Sequence, residues 1–192
     1  MQHKQNIKIL QMIATHNSGT GEKGSGWLSK LVTPFARCQS KSIADQYWAG
    51  CRLFDLRAKY VDGKLVIAHG LWHSDRTLWD IISQLYALNK DDLWKVNILV
   101  TYEGECEGEK LKLFVNNVKN FCAAYDDRVS LGYIAVKKPK WKTVWLGTCP
   151  QTRQGFQTLE KMPHCLLPIP WLWNLIKHDE FDGKEYVLLD FL

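Results

Sequence analysis

Apolar, strand-like runs alternate along this chain with segments whose apolar residues recur at helical spacing, and that alternation limits the fold more than any other feature. Val96 to Tyr102 is a near-continuous apolar run and reads as a buried strand. Ile7 to Ala14 and Tyr186 to Leu192 have the same character, and Tyr133 to Val136 and Thr143 to Leu146 are shorter strand segments. Arg52 to Ala58 and Leu65 to Ala68 read as two strands joined by Asp62-Gly63, a strong hairpin signal. Between these lie helical patterns. Thr77 to Leu88 places Leu78, Ile81, Ile82 and Leu85 on one face, and Glu109 to Ala124 is amphipathic. Ser40 to Gly50 is a short helix with Ser42 as N-cap and Gly50 as its stop. Pro163 to Pro170 reads as irregular and Trp171 to Lys177 as a short helix.

Such alternation predicts a largely parallel sheet covered by helices, an α/β fold. A regular eight-unit barrel takes about 250 residues. At 192 residues the chain is shorter, so the expected architecture is one domain, 1–192, forming a trimmed or irregular TIM-type (β/α) barrel. In either kind of parallel sheet, chemistry collects just past the C-terminal ends of the strands.

Composition removes several function classes. The net charge of +5 is mild and spread along the chain, and no nucleic-acid fingerprint is present. The densest basic run, Lys137 to Lys142, reads as a solvated loop between strands. Six cysteines at 38, 51, 106, 122, 149 and 165 form no CxxC pair, which argues against a zinc or redox motif. Cys51 and Cys122 lie in apolar runs and read as buried thiols. The first eight residues lack a signal-peptide core, and no stretch approaches the roughly 20 apolar residues of a membrane span. The chain as written is therefore expected in the cytoplasm, or outside the cell if a leader has been removed. Nothing in it calls for more than a monomer.

Functional groups gather at the strand ends. The first run leads into Thr15-His16-Asn17-Ser18, the next carries Asp55 and Arg57, and then come His69, Glu103 and Asp190. Asp55 and Arg57 are two apart and so share one face of a strand. Two histidines, an arginine and carboxylates at strand ends suit phosphoryl transfer. Cleaving a phosphodiester needs a base for the nucleophile and an acid for the leaving oxygen, and histidine titrates near neutrality. Charge on the phosphate oxygens needs a cation, and arginine offers a planar fork that matches two of them. A carboxylate can orient an imidazole and stabilise its protonated form.

The ordered set Thr15-His16-Asn17-Ser18-Gly19-Thr20, Gln39-Ser40, Asp45-Gln46, Gly50 to Arg57 and His69-Gly70-Leu71 resembles the X region of phosphatidylinositol-specific phospholipases C. Leu188 to Phe191 is similar to that family's last strand, whereas the middle from about Cys106 to Gly183 shows no matching motif. The resemblance implies a phosphodiesterase cleaving phosphatidylinositol-like lipids at a membrane surface by attack of the substrate's own hydroxyl, giving a cyclic phosphate. It implies that His16 is the general base, His69 the general acid and Arg57 the phosphate-binding cation. Asp55 would support the site and Asp190 would stand behind the base histidine.

Two positions, Asn17 and Glu103, depart from the bacterial pattern. Asn17 replaces the aspartate that usually follows the first histidine, and with Asp55 and Glu103 it falls where the calcium-dependent relatives place metal ligands. Arg57, however, falls where those relatives have a further acidic ligand, so the resemblance favours a site without a cofactor, with Ca²⁺ as the alternative. Asn17 and Glu103 would then contact substrate. The alternatives are a phosphodiesterase, metal-dependent or not, on another lipid or glycerophosphodiester, and an inactive X-type domain that binds inositol phosphate or anionic lipid. Four of the nine tryptophans, Trp27, Trp72, Trp141 and Trp171, are candidates for an aromatic rim, and the loop Gly19 to Gly26 for a mobile edge.

Overall fold

The computed structural model describes residues 12–105, 107–124, 128–137, 142–148 and 186–189. Asp190, Trp141, Trp171, most of the basic run and the segments at 163–177 lie outside the described residues. In order, the elements are β1 (Met12–Thr15), a 3-10 turn (Ser18–Gly21), α1 (Gly26–Ala36), α2 (Ile43–Trp48), β2 (Cys51–Val61), β3 (Lys64–His69) and β4 (Trp72–Thr77). They continue with α3 (Leu78–Leu88), β5 (Val96–Tyr102), α4 (Glu109–Ala124), β6 (Val129–Lys137), β7 (Lys142–Thr148) and β8 (Tyr186–Leu189).

Five strands run parallel in the spatial order β8, β1, β2, β5, β6, and β7 adds antiparallel to β6. The α/β expectation holds, but the barrel needs correcting. Among the described residues β7 and β8 are separate edges and the sheet stays open. The long strand β2 organises it. Its first half pairs with β1 and β5, and its second half, from Ala58 to Val61, pairs with β3.

Strand alternation divides the sheet into two faces. Phe54, Leu56 and Ala58 of β2, Ile98 and Val100 of β5 and Leu131 and Tyr133 of β6 join Ile81, Ile82, Leu85, Phe114 and Val118 of α3 and α4 in the main core. The opposite face carries Leu53, Asp55 and Arg57, with Leu99 and Ile134 in a small cluster of their own. The two helices therefore cover one face, and the polar residues of β2 stand on the other.

Local signals explain most boundaries. Thr77 caps α3 in a reciprocal box with Asp80, and Ser42 caps α2 by accepting from Asp45 N. Asp62 and Gly63 both take positive φ, 47° and 76°, as a two-residue hairpin turn requires. Cys51 is a buried thiol, as expected, and burial pushes its pKa up to about 11. Cys122 is not. It is half-buried and disulfide-bonded, and its partner lies outside the described residues. Trp72 also leaves the rim, because it is among the largest fully buried side chains.

The glycine-rich loop is packed in its first half. Gly19 and Thr20 are buried, and a Cβ on Gly21 would lie 1.8 Å from the Lys41 carbonyl oxygen. Backbone cannot retreat as a side-chain tip can, so Gly21→Ala is expected to cost about 1–3 kcal/mol. Urea denaturation of the variant beside the wild type measures this, and an unchanged midpoint would mean that the loop yields freely.

Candidate functional site

The loop that leaves β1 is tied down almost atom by atom. Gln39 Nε2 donates to His16 O at 3.0 Å, and Gln46 Nε2 donates to Ser18 O at 2.8 Å. Thr20 Oγ1 donates to Asn17 O at 2.8 Å and accepts from Cys38 N at 2.9 Å and Gln39 N at 3.1 Å. These bonds account for much of the 15–20 motif and its companions at 39 and 46. Asn17 sits in the left-handed region at φ 46°, a conformation asparagine tolerates better than most residues. The result is that His16 and Asn17 are presented beside the polar face of β2.

His16 Nε2 receives two donors, Arg57 Nη2 at 3.2 Å and Asn17 Nδ2 at 3.2 Å. A ring nitrogen between two N–H donors offers its lone pair, which places the proton of the neutral ring on Nδ1. Asp55 Oδ2 lies 3.8 Å from the same nitrogen and accepts from Asn17 N at 3.2 Å. It is well placed to stabilise a proton arriving on His16.

β3 delivers the second histidine. The antiparallel register Ala58↔Ile67 turns the chain back, so that His69, two residues further, returns to the level of Asp55 and Arg57. His69 Nδ1 donates to Ala36 O, the last carbonyl of α1, at 2.8 Å. Such terminal carbonyls lack helical partners and favour a cation beside them. Burial works against charge on His69 and Arg57 repels it, yet hydrogen bonding to Cys38 and to Ala36 O prevails and holds its pKa above the ordinary value.

Glu103 ties the arginine to the histidine turn. Its Oε1 accepts from Arg57 Nη1 at 3.3 Å and its Oε2 from Gly70 N at 2.7 Å, while Lys59 Nζ donates to Gly70 O at 2.7 Å. Arg57 Nε and Asn17 Oδ1 are buried without a protein partner, one an unused donor and the other an unused acceptor. Both suit a ligand that carries oxyanions and hydroxyls.

The structure thus gathers His16, Asn17, Asp55, Arg57, His69 and Glu103 at one end of the sheet, and Asp190 lies outside the described residues. For calcium the arrangement is poor. Arg57 bonds both Glu103 and His16, putting a fixed cation within the ligand set expected for the metal. Asp55 and Glu103 are already engaged by protein donors, whereas calcium takes about 6–8 oxygens. Among the described residues no group of three or more His, Cys, Asp or Glu side chains has the spacing of a metal site. Cys38 belongs to the cluster through its bond to Asn17 and its place beside the Ala36 carbonyl that His69 meets, although nothing but its place before Gln39-Ser40 marks it in the sequence.

No protein-family model and no curated protein matches the chain. Solved structures do. A phosphatidylinositol-specific phospholipase C from Listeria monocytogenes matches at TM-score 0.54 and 18% identity, over 67% of this chain and 52% of that one. The F249X mutant of the Staphylococcus aureus enzyme matches at TM-score 0.52 and 13% identity, over 67% and 49%. The chain spans about half the length of these bacterial structures, and at such identities the likeness is one of fold.

Proposed function

We propose that this chain is a phosphodiesterase of the phosphatidylinositol-specific phospholipase C X-domain kind, cleaving phosphatidylinositol or a closely related phosphodiester without a metal. The observation that carries the reading is the pairing of two unlike histidines across one arginine. His16 offers a lone pair, and His69 is held toward its protonated form.

In the proposed reaction, His16 Nε2 takes the proton of the inositol hydroxyl beside the phosphate, and that oxygen attacks phosphorus. Substrate phosphate replaces His16 as the acceptor for Arg57 Nη2, which frees the imidazole as the cation moves to the developing charge. Asp55 stabilises the resulting imidazolium. His69 gives its proton to the departing glycerol oxygen, so the P–O bond to diacylglycerol breaks as the ring bond forms. The product is a cyclic inositol phosphate, which water can open with the two histidines exchanging roles. Glu103 holds Arg57 and the Gly70 turn in register throughout.

A lipid substrate needs an approach to the bilayer, and α1 supplies one. Trp27 is 77% exposed, Leu31 64% and Phe35 84%, at spacings of four residues on one helix face. Leu71, just past His69-Gly70, is exposed as well, and Ala36 at the end of α1 bonds His69. The apolar face and the site therefore adjoin. The proposed contact is peripheral, and among the described residues no helix is long and apolar enough to cross a membrane. Trp27→Ala with Phe35→Ala is expected to weaken partition onto phosphatidylinositol vesicles by at least about tenfold, from lost apolar burial of roughly 1.5 kcal/mol or more. Turnover of a short-chain soluble substrate should stay unchanged. Vesicle sedimentation with a parallel soluble assay separates the two effects, and unaltered partition would remove α1 as the contact.

The decisive test of the reaction is phosphorus NMR of phosphatidylinositol vesicles with the protein in excess EDTA. A cyclic phosphodiester signal growing as lipid phosphate declines is the expected result. Reaction only after calcium is restored would overturn the metal-free route. No reaction in either condition would leave another phosphodiester as substrate, or binding without catalysis.

A further inference from the structure

Cys38 has no place in the reaction just described, yet its sulfur lies inside the cluster. The side chain is 5% exposed and forms no disulfide. Asn17 Nδ2 lies 3.2 Å from Cys38 Sγ and also 3.2 Å from His16 Nε2, so one amide touches both groups. On its other side Cys38 meets the Ala36 carbonyl, with Sγ at 3.8 Å, and that oxygen accepts from His69 Nδ1 at 2.8 Å. The position of the sulfur is set by the loop that presents His16, because Cys38 N donates to Thr20 Oγ1 and Thr20 Oγ1 donates to Asn17 O.

We infer that Cys38 is a positioning residue for His69, one link of a line that runs from His16 through Asn17 and Cys38 to the Ala36 carbonyl accepting from His69 Nδ1, and so ties the two histidines to one loop. The line runs across three segments of chain: the loop after β1, the turn after α1 and the end of β3. Asn17 carries no charge and Arg57 opposes a proton on His69. Glu103 and Lys59 reach the turn through Gly70 N and O rather than the ring. Among the described residues, the Cys38 sulfur and the Ala36 carbonyl are the hydrogen-bonding groups that favour the protonated ring.

The inference rests on the phosphodiesterase reading for its consequence in turnover, but its direct test needs no substrate. NMR titration of the histidine rings, with His69 assigned through His69→Gln, is run on wild type, Cys38→Ala, Cys38→Ser and Cys38→Asp. Cys38→Ala is expected to lower the His69 midpoint by about half a pH unit or more, and Cys38→Asp to raise it. Cys38→Ser should fall between alanine and wild type. In turnover, the alkaline limb of the pH profile should move the same way, costing the alanine variant about threefold or more above neutrality with KM unchanged. A His69 midpoint unmoved in Cys38→Ala overturns the inference, and Cys38→Ser decides if the alanine variant does not fold. A shifted midpoint in a protein that cleaves no phosphodiester would keep the Cys38 role and discard the reaction.

Discussion

His16→Ala and His69→Ala are each expected to lower the turnover of phosphatidylinositol by about 100-fold or more, the usual worth of a positioned base or acid. The two losses should differ in their pH dependence. In the proposed reaction His16 takes a proton, so its contribution is lost as pH falls. In the same scheme His69 gives one, so its contribution is lost as pH rises. Because hydrogen bonds hold the His69 pKa above the ordinary histidine value of about 6.5, the alkaline limb of kcat/KM should lie above that value. His69→Ala should flatten that limb and His16→Ala the acid one. Steady-state kinetics across pH on a soluble substrate makes the measurement. Near-full activity in either variant would end the role assigned to that histidine.

The same shift carries a sign for stability. A histidine whose folded pKa is raised stabilises the fold while it is protonated. That contribution is complete below the unfolded value and disappears as pH rises through the folded one. Wild type should therefore lose a small increment of stability across neutrality that His69→Ala lacks. Differential denaturation at two pH values separates this from catalysis, because it needs no substrate.

What could be read from the sequence followed from repetition. β5 and α4 appear with the bounds their apolar patterns set, and α3 begins one residue past its Thr77 cap. The missed elements break those patterns for physical reasons. α1 turns Trp27, Leu31 and Phe35 outward and contains Pro34, so it has neither the buried stripe nor the composition of an ordinary helix. β4 is Trp-His-Ser-Asp-Arg-Thr, with little strand propensity, and exists because Gly70 at φ 61° lets the chain fold back onto β3. Closure of the sheet is a long-range property that no local pattern carries, so the barrel expectation had no local check.

Which candidate side chains lie together was legible in part. Asp55 and Arg57 had to share a face by strand alternation, and the structure adds that both stand opposite the helix-packed core. Glu103 was expected at the substrate or at a metal, and in the structure its protein contacts join Arg57 to the Gly70 turn. Cys38 was invisible because a cysteine among six says nothing about its neighbours until the chain is folded.

Arg57→Lys is expected to be nearly as damaging as Arg57→Ala, with both lowering turnover by about 100-fold or more. The guanidinium uses its shape. Nη1 reaches Glu103, Nη2 reaches His16, and Nε is buried with no protein partner. One planar group thus addresses a carboxylate, an imidazole and an open position in fixed directions. A lysine ammonium can satisfy Glu103, but it is a single point charge and cannot also present a second aligned N–H to phosphate. The loss should appear in kcat more than in KM, because the fork is needed most when charge accumulates on the phosphate oxygens. Thermal denaturation guards against a trivial cause. In the lysine variant Glu103 keeps a cation, so unfolding should shift less than in the alanine variant while activity falls almost as far. Full activity in Arg57→Lys would show that charge alone suffices, and it would remove the fork from the proposed mechanism.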